Sequence, residues 1–527
     1  MSKTKTKAKS KVSDRSKRSS SPKSGAAKKT TRKKSPAKSR TSATTRVTKV
    51  EKPRTSRGTK LSDRIAAIAE GRNIRTYTAA MDYLSLQTNY ERRPPRRHQR
   101  GVYTLERMKR LLADLGNPQD QFKAIHVAGS KGKGSTVTML AEMLINNGMK
   151  VGVYTSPHVM DLRERIVIDH DMVSKPKLAK LIARIAEVSA GYGDQKPTYF
   201  EILTACALLW FAEEGVDIAV VETGLGGRFD ATNLVNPVAC AITSISIDHV
   251  PQLGDTVEKI AEEKAGILKP GVPVISAPQE PGVKKVLKRV AQENECGLAF
   301  AGDDIRFSYR FEASREAGPQ ARICVTTPTS HFDHLLVPLV GEHQAVNCGV
   351  AIGVLDRLKQ LGYAIDDEKA VSGLTNVRML GRMEMICEAP RVIGDGAHNA
   401  ASIEALMRAI GQNVPYDSMV VIFGCCGDKD IDGMLRLIQL GADKVIFTKV
   451  SSPRSADPAE LAQRFAEVSG RMAQVAPTLS AAFEIAEKAV TREDLICVTG
   501  SFYLVADAKR LFADHPHRSM STLVQTA

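Results

Sequence analysis

The stretch Ile125–Leu140, IHVAGSKGKGSTVTML, constrains this chain more than any other. A short apolar strand, Ile125 to Ala128, runs into a glycine-rich turn and then into a helix with Val137, Leu140 and Leu144 on one face. Glycines 129, 132 and 134 let backbone amides approach an anion closely, and the start of the helix adds positive dipole potential. That geometry suits a polyphosphate, with Lys133 as a point charge and Ser135 as a hydroxyl for phosphate or for phosphate-bound magnesium. The common pattern GxxxxGK followed by Ser or Thr is not met: Val127 stands where its first Gly belongs, and Gly134 follows Lys133. Alone, the stretch fits either a phosphate loop or an ordinary strand-to-helix turn with surface lysines.

At 527 residues the chain exceeds one ordinary core, so two folded domains and an extension are expected. The net charge of +17 is unevenly spread. Residues 1–60 hold 22 Lys or Arg against Asp14 and Glu51, a net of +20, which leaves 17 − 20 = −3 for residues 61–527. The tail has almost nothing apolar to bury and is expected to be disordered. It serves either as a nonspecific polyanion-binding arm, for RNA, DNA or acidic surfaces, or as a solvated tail with no specific partner. It lacks the apolar core of a secretory signal peptide, and no run in the chain approaches the roughly 18 apolar residues of a membrane helix. The 9 cysteines are scattered without zinc-site spacing, which fits reduced thiols in a cytoplasmic protein. A monomer is expected.

Past the tail, Thr76–Leu86 and Leu105–Leu115 have helical patterns, separated by the basic, proline-interrupted loop Asn89–Gly101. That loop is either a solvated connection or a source of arginines at the edge of a site. Apolar strands then alternate with amphipathic helices: Val151–Tyr154, Ile218–Glu222, Val238–Ser244 and Val272–Ile275, which argues for a parallel sheet with crossover helices. The segment 300–340 reads as a sheet edge or a small β element, followed by helices at His343–Leu361 and Asp367–Asn376. A second alternation has strands at Val392–Gly394, Met419–Gly424, Lys444–Thr448 and Leu495–Thr499. The expected fold is α/β, with a P-loop-containing parallel-sheet ATPase domain over 61–379 and a smaller α/β domain over 380–527, after the basic tail 1–60.

Ligands of open parallel sheets sit at strand ends, so polar residues there carry weight. Ser156 and His158 follow one strand, Glu222 ends another and opens ETGLGGRFDATN, Asp248-His249 follows a third, and Lys264 lies near a helix end. A hydroxyl, a carboxylate and an imidazole converging by a phosphate loop would suit magnesium. Taken singly, His249 reads as a loop histidine and Glu222 as a turn cap. In the second domain Asp395 and His398 sit at a strand-to-helix turn, where Asp395 orients a ribose or a metal-bound water, or else Asn399 simply caps the helix. Arg382 is placed either to cross to a nucleotide or to form a surface ion pair.

In order, HVAGSKGKGS, YTSPH, ETGLGGRFDATN, DHVPQLGDT, IAEEKAGILK, GEHQAVN, GRMEM, DGAHN and TGSFYL resemble the folylpolyglutamate synthase and dihydrofolate synthase family of the Mur ligase superfamily, over about Thr76–Leu511. The resemblance implies that Gly129, Ser130, Lys131, Gly132, Lys133, Gly134 and Ser135 hold ATP phosphates, with Asn347, Arg382 and Asp395 as further nucleotide contacts. It implies Ser156, Glu222 and His249 as ligands of magnesium (two ions), a carbamylated Lys264, and His398 on the acceptor side. Lys133, Lys264 and His398 are then the catalytic candidates. The implied reaction is ATP-dependent ligation of L-glutamate to a folate or dihydropteroate carboxylate through an acyl phosphate. Leu380 and Met383 depart from the family's usual Pro and Leu around Arg382, and the tail is no family feature. Competing readings are a Mur-type ligase of cell-wall synthesis and a nucleotide-binding protein whose basic tail binds RNA or DNA.

Overall fold

The computed structural model describes residues 68, 70–91, 103–314, 318–337 and 341–514, so the tail and most of the basic loop Asn89–Gly101 lie outside the described residues. Strands β1 (Lys123–Ala128), β2 (Val151–Tyr154), β3 (Ile166–Ile168), β4 (Asp171–Met172), β5 (Ile218–Glu222), β6 (Pro237–Ile242), β7 (Val274–Ser276) and β8 (Leu298–Phe300) form an 8-stranded sheet in the order β4-β3-β2-β5-β1-β6-β7-β8. β1 is buried at every position after Lys123, and β5 at every position, as strands covered on both faces must be. Pairing is parallel throughout except at the edge, where β3 runs antiparallel to β2 and β4 to β3.

A 3-stranded antiparallel sheet follows, made of β9 (Arg306–Ser314), β10 (Gly318–Thr326) and β11 (His331–Val337). The last sheet is 6-stranded: β12 (Glu384–Glu388), β13 (Arg391–Asp395), β14 (Met419–Phe423), β15 (Lys444–Phe447), β16 (Gln474–Val475) and β17 (Leu495–Thr499), in the order β12-β13-β17-β14-β15-β16. Only β12 is antiparallel there. The sequence patterns do not anticipate β3, β4, β8, β12 or β16. All five are short, β4 and β16 are exposed edge strands and β12 a partly exposed one, so no sustained apolar run marks them.

The helix Tyr199–Glu214 is buried on nearly all sides and has no polar face to orient it. Its start is set locally: Thr198 Oγ1 accepts from the Glu201 amide at 3.3 Å, and the Glu201 carboxylate accepts from the Thr198 amide at 2.7 Å, a reciprocal capping box. Glu201 also pairs with Arg107, tying the cap to the helix Glu106–Asp114. Thr198→Ala is expected to cost about 1 kcal/mol, read as a lower urea midpoint at unchanged m-value.

Candidate active site

β1 lies between β5 and β6, and the parallel register sets Val127 opposite Glu222 and Ala128 opposite Ile242. The Thr223 amide donates to the Val127 carbonyl at 3.0 Å and the Thr243 amide to Ala128 at 2.8 Å. Three strands therefore end together, and the glycine-rich loop leaves from the middle one. The amides of Ser130 and Lys131 both donate to the Ser244 carbonyl, at 3.0 and 3.2 Å, and Ser130 Oγ donates to the Ser246 carbonyl at 2.9 Å. These residues anchor the loop, and the amides offered to an anion start at the first turn of the helix Lys133–Asn146, where no intrahelical acceptor exists.

Gly132 caps that helix at φ +87°, and a Cβ there would collide with the Asn347 carboxamide. Asn347 is buried and held by the Gln344 carboxamide at 3.1 Å. A Cβ on Gly134 would lie 3.2 Å from Arg382 Nη2 and 3.4 Å from Glu222 Oε2, so the helix start is bare where a guanidinium from the six-stranded sheet's side and a carboxylate from the eight-stranded sheet approach it. Ser135 is buried beneath.

Glu222 is buried, 3.8 Å from Lys133 Nζ, and accepts from the Ser156 backbone amide at 3.1 Å. Burial pushes its carboxyl upward, while Lys133 and the Ser156 amide oppose the shift. Ser156 reaches Glu222 through its amide, with its hydroxyl on the same turn. His249, at φ +50°, has a half-exposed side chain 3.9 Å from Asp248, and feels the charges of Lys133 and Lys264. Partial burial, with the charges of Lys429, Lys133 and Lys264, holds its pKa down to about 4 against the pull of Asp248. Among the described residues no three His, Cys, Asp or Glu side chains form a ready-made cation cage. A carboxylate, a hydroxyl and a neutral imidazole around a phosphate loop do fit magnesium, which takes few protein ligands and completes its shell with phosphate oxygens and water.

Lys264 is buried at 4% exposure, and its ammonium donates to the Gly129 carbonyl at 2.7 Å, the root of the loop. Burial, and then the like charge of Lys133, lower its pKa to about 7. Across the cleft, Asp395 ends β13 in register with Thr499 of β17, and its carboxylate accepts from the amides of Met383 and Ala397 at 2.9 and 2.8 Å. Burial raises Asp395 to about 6. Arg382 stacks 5.4 Å over Phe502. His398 hydrogen-bonds through Nδ1 to the Gly396 carbonyl at 2.8 Å and feels Asp248 and Lys131 of the first sheet's loops. Asn399 caps the helix Ala400–Asn413, so the cap and the polar turn coexist.

Several neighbours were not singled out from sequence. Lys429, on the loop after β14, acts electrostatically on Asp248, His249 and His398. His343 faces Arg382 and Lys131. Arg165, 1% exposed, donates to Glu91 at 2.7 and 2.8 Å and to His158 Nδ1 at 2.9 Å, bracing the turn that carries Ser156. The only sequence signal for Lys429 is its place in GCCGDKD, a glycine-bearing turn at a strand end.

Since the folded pKa of Lys264 lies below its unfolded value, unfolding takes up a proton between about pH 7 and the ordinary lysine range, and stability from this group rises with pH across that window. Urea unfolding in carbonate-free buffer from about pH 7 to pH 9 should show that rise, and Lys264→Met should flatten it.

Residues 127–355 match the Mur ligase middle domain and residues 381–502 the Mur ligase glutamate ligase domain. The chain is 34% identical over 414 residues to the dihydrofolate synthase/folylpolyglutamate synthase of Bacillus subtilis, covering 77% of this chain and 94% of that protein. Folylpolyglutamate synthase of Mycobacterium tuberculosis, solved with ADP and AMPPCP, superposes with a TM-score of 0.73 at 31% identity, covering 78% of this chain and 95% of the other. E. coli FolC in complex with DHPP and ADP gives a TM-score of 0.72 at 28% identity, covering 83% and 98%.

Proposed function

As a member of the folylpolyglutamate synthase and dihydrofolate synthase family of Mur ligases, this chain is an ATP-dependent, ADP-forming ligase that adds glutamate to a folate-type carboxylate, and we propose that the reaction runs in the cleft between the two sets of strand ends. The observation that carries this reading is the approach of Arg382 and Glu222, from two different sheets, to the bare Gly134 in the first turn of the helix after the loop.

In the proposed reaction the acceptor carboxylate takes the γ-phosphoryl group of ATP to form an acyl phosphate, and the amine of L-glutamate then displaces phosphate to leave an amide. The amides of the first turn after Gly132, with Lys133, hold the phosphates, and Arg382 closes on them from the other domain. Asn347 and Asp395 complete the nucleotide contacts. Glu222, Ser156 and His249 would hold magnesium, which when bound neutralises charge on the transferring phosphoryl group. Lys429 and His398 face Asp248 across the cleft, a polar pocket of mixed sign suited to an amino acid that carries both an amine and carboxylates. Closing the domains excludes water from the activated acyl group.

Carbamylation of Lys264 is part of the proposal. A lysine whose pKa sits near 7 offers a neutral amine that can add carbon dioxide and release a proton, yielding an anion. That anion would replace the repulsion between Lys264 and Lys133 with attraction and supply a further oxygen near the magnesium ligands. The acceptor is proposed to be dihydropteroate, a folate already bearing glutamate, or both. Among the described residues no helix is long and apolar enough to cross a membrane, and all 9 cysteines are free, in keeping with a cytoplasmic setting.

ADP release, measured with dihydropteroate and tetrahydrofolate offered separately, should require glutamate, and Lys133→Ala should reduce it at least about a hundredfold with either acceptor. Normal turnover by a well-folded Lys133→Ala protein would sink the site assignment. Deleting residues 1–60 should leave ligation intact; loss of turnover by a folded truncation would instead make the basic tail a working part.

A further inference from the structure

Outside the cleft, the helices Tyr77–Ser85 and Lys175–Val188 border an open groove of about 590 Å³. Its lining carries Arg75, Lys175, Lys180 and Arg184 against the single carboxylate of Glu187. Arg184 already pairs with Glu213 at 3.0 Å. Among the described residues Arg75, Lys175 and Lys180 join no ion pair, and Lys175 instead lies 5.6 Å from the Tyr77 ring. Both helices begin at this groove, capped by Thr76 and Ser174, so two positive helix ends add to the side-chain charge. Between the cations the floor is apolar, formed by Ile74, Ala179 and Ala183.

We propose that this groove holds the oligoglutamate tail of the ligase's own product. The inference rests on the ligase reading, because each ligated glutamate consumes one carboxylate and brings two, so the tail gains one negative charge per cycle. Such a tail alternates carboxylates with short hydrocarbon stretches, which matches cations spaced over an apolar floor. A nucleic acid would call for more stacking surface than the one Tyr77 ring provides. The groove also adjoins the cleft. Ser156, whose amide is on Glu222, is followed along the chain by Asp161, which feels Lys175 and pairs with Arg163 at 2.8 Å. Both Asp161 and Arg163 act on Tyr77. From Ser156 to Asp161 the chain spans at most roughly 18 Å, so a tail of several glutamates leaving the cleft along this turn reaches the groove.

The triple variant R75Q/K175Q/K180Q, none of whose positions belongs to the proposed catalytic machinery, tests the idea. With tetrahydrofolate bearing a single glutamate its kcat/KM should stay within about twofold of wild type. With an acceptor bearing several glutamates, KM should rise about tenfold at low salt, and the gap should shrink as salt is added. Equal KM values for the long acceptor in variant and wild type would overturn the proposal. So would a variant that loses affinity for a single-stranded oligonucleotide while keeping its KM for the long acceptor. Calorimetric binding of an oligoglutamate peptide, weaker in the variant, reads the groove without turnover; an inactive wild type that still shows this difference would count against the ligase reading alone.

Discussion

The parallel register around β1 is the constraint on which the rest depends. With β5 and β6 on either side, the three strands stop within a residue of one another, so the glycine-rich loop, Glu222 and the Thr243–His249 segment must share one mouth. Slipping β5 by one residue would turn its side chains to the other face and carry Glu222 away from Lys133. The sheet is well placed to hold that register, since β1, β5 and β6 are buried along nearly their whole length and any slip would expose apolar surface.

Within that mouth the electrostatics oppose one another by design of the fold. Lys131, Lys133 and Lys264 crowd a small volume with Arg382 and Lys429 entering from beside the six-stranded sheet, against Glu222, Asp248 and Asp395. Burial penalises each charge, and the two sides respond in opposite directions: Lys264 falls toward neutrality while Glu222 and Asp395 rise. In the proposed reading, the polyphosphate of ATP would satisfy the cations and magnesium, when bound, would satisfy the carboxylate.

Much of this was legible in the chain itself. Long apolar strands such as Ile218–Glu222 and Leu495–Thr499 coincide with β5 and β17, and the helical pattern Leu105–Leu115 contains the helix Glu106–Asp114. The short strands were hidden, because edge strands such as Gln474–Val475 gain their hydrogen bonds from a neighbour and carry no apolar pattern of their own. At the site, glycines and strand-end polar residues announced the loops. Lys429 and Arg165 did not announce themselves: a lysine in a turn and an arginine after one look like any surface cation until the fold buries one beside Glu91 and His158 and aims the other at Asp248.

By itself the sequence determined what local sterics and periodicity decide: where the long apolar strands and the amphipathic helices run, and that a glycine-rich turn joins β1 to the helix after it. Only the tertiary structure decided which loops meet. The approach of Arg382 to Gly134, the pairing of Lys133 with Glu222 and the opposition of Lys429 to Asp248 join residues far apart in the chain. Their proximity follows from strand order and from the packing of one sheet's ends against another's, which no short window of residues encodes.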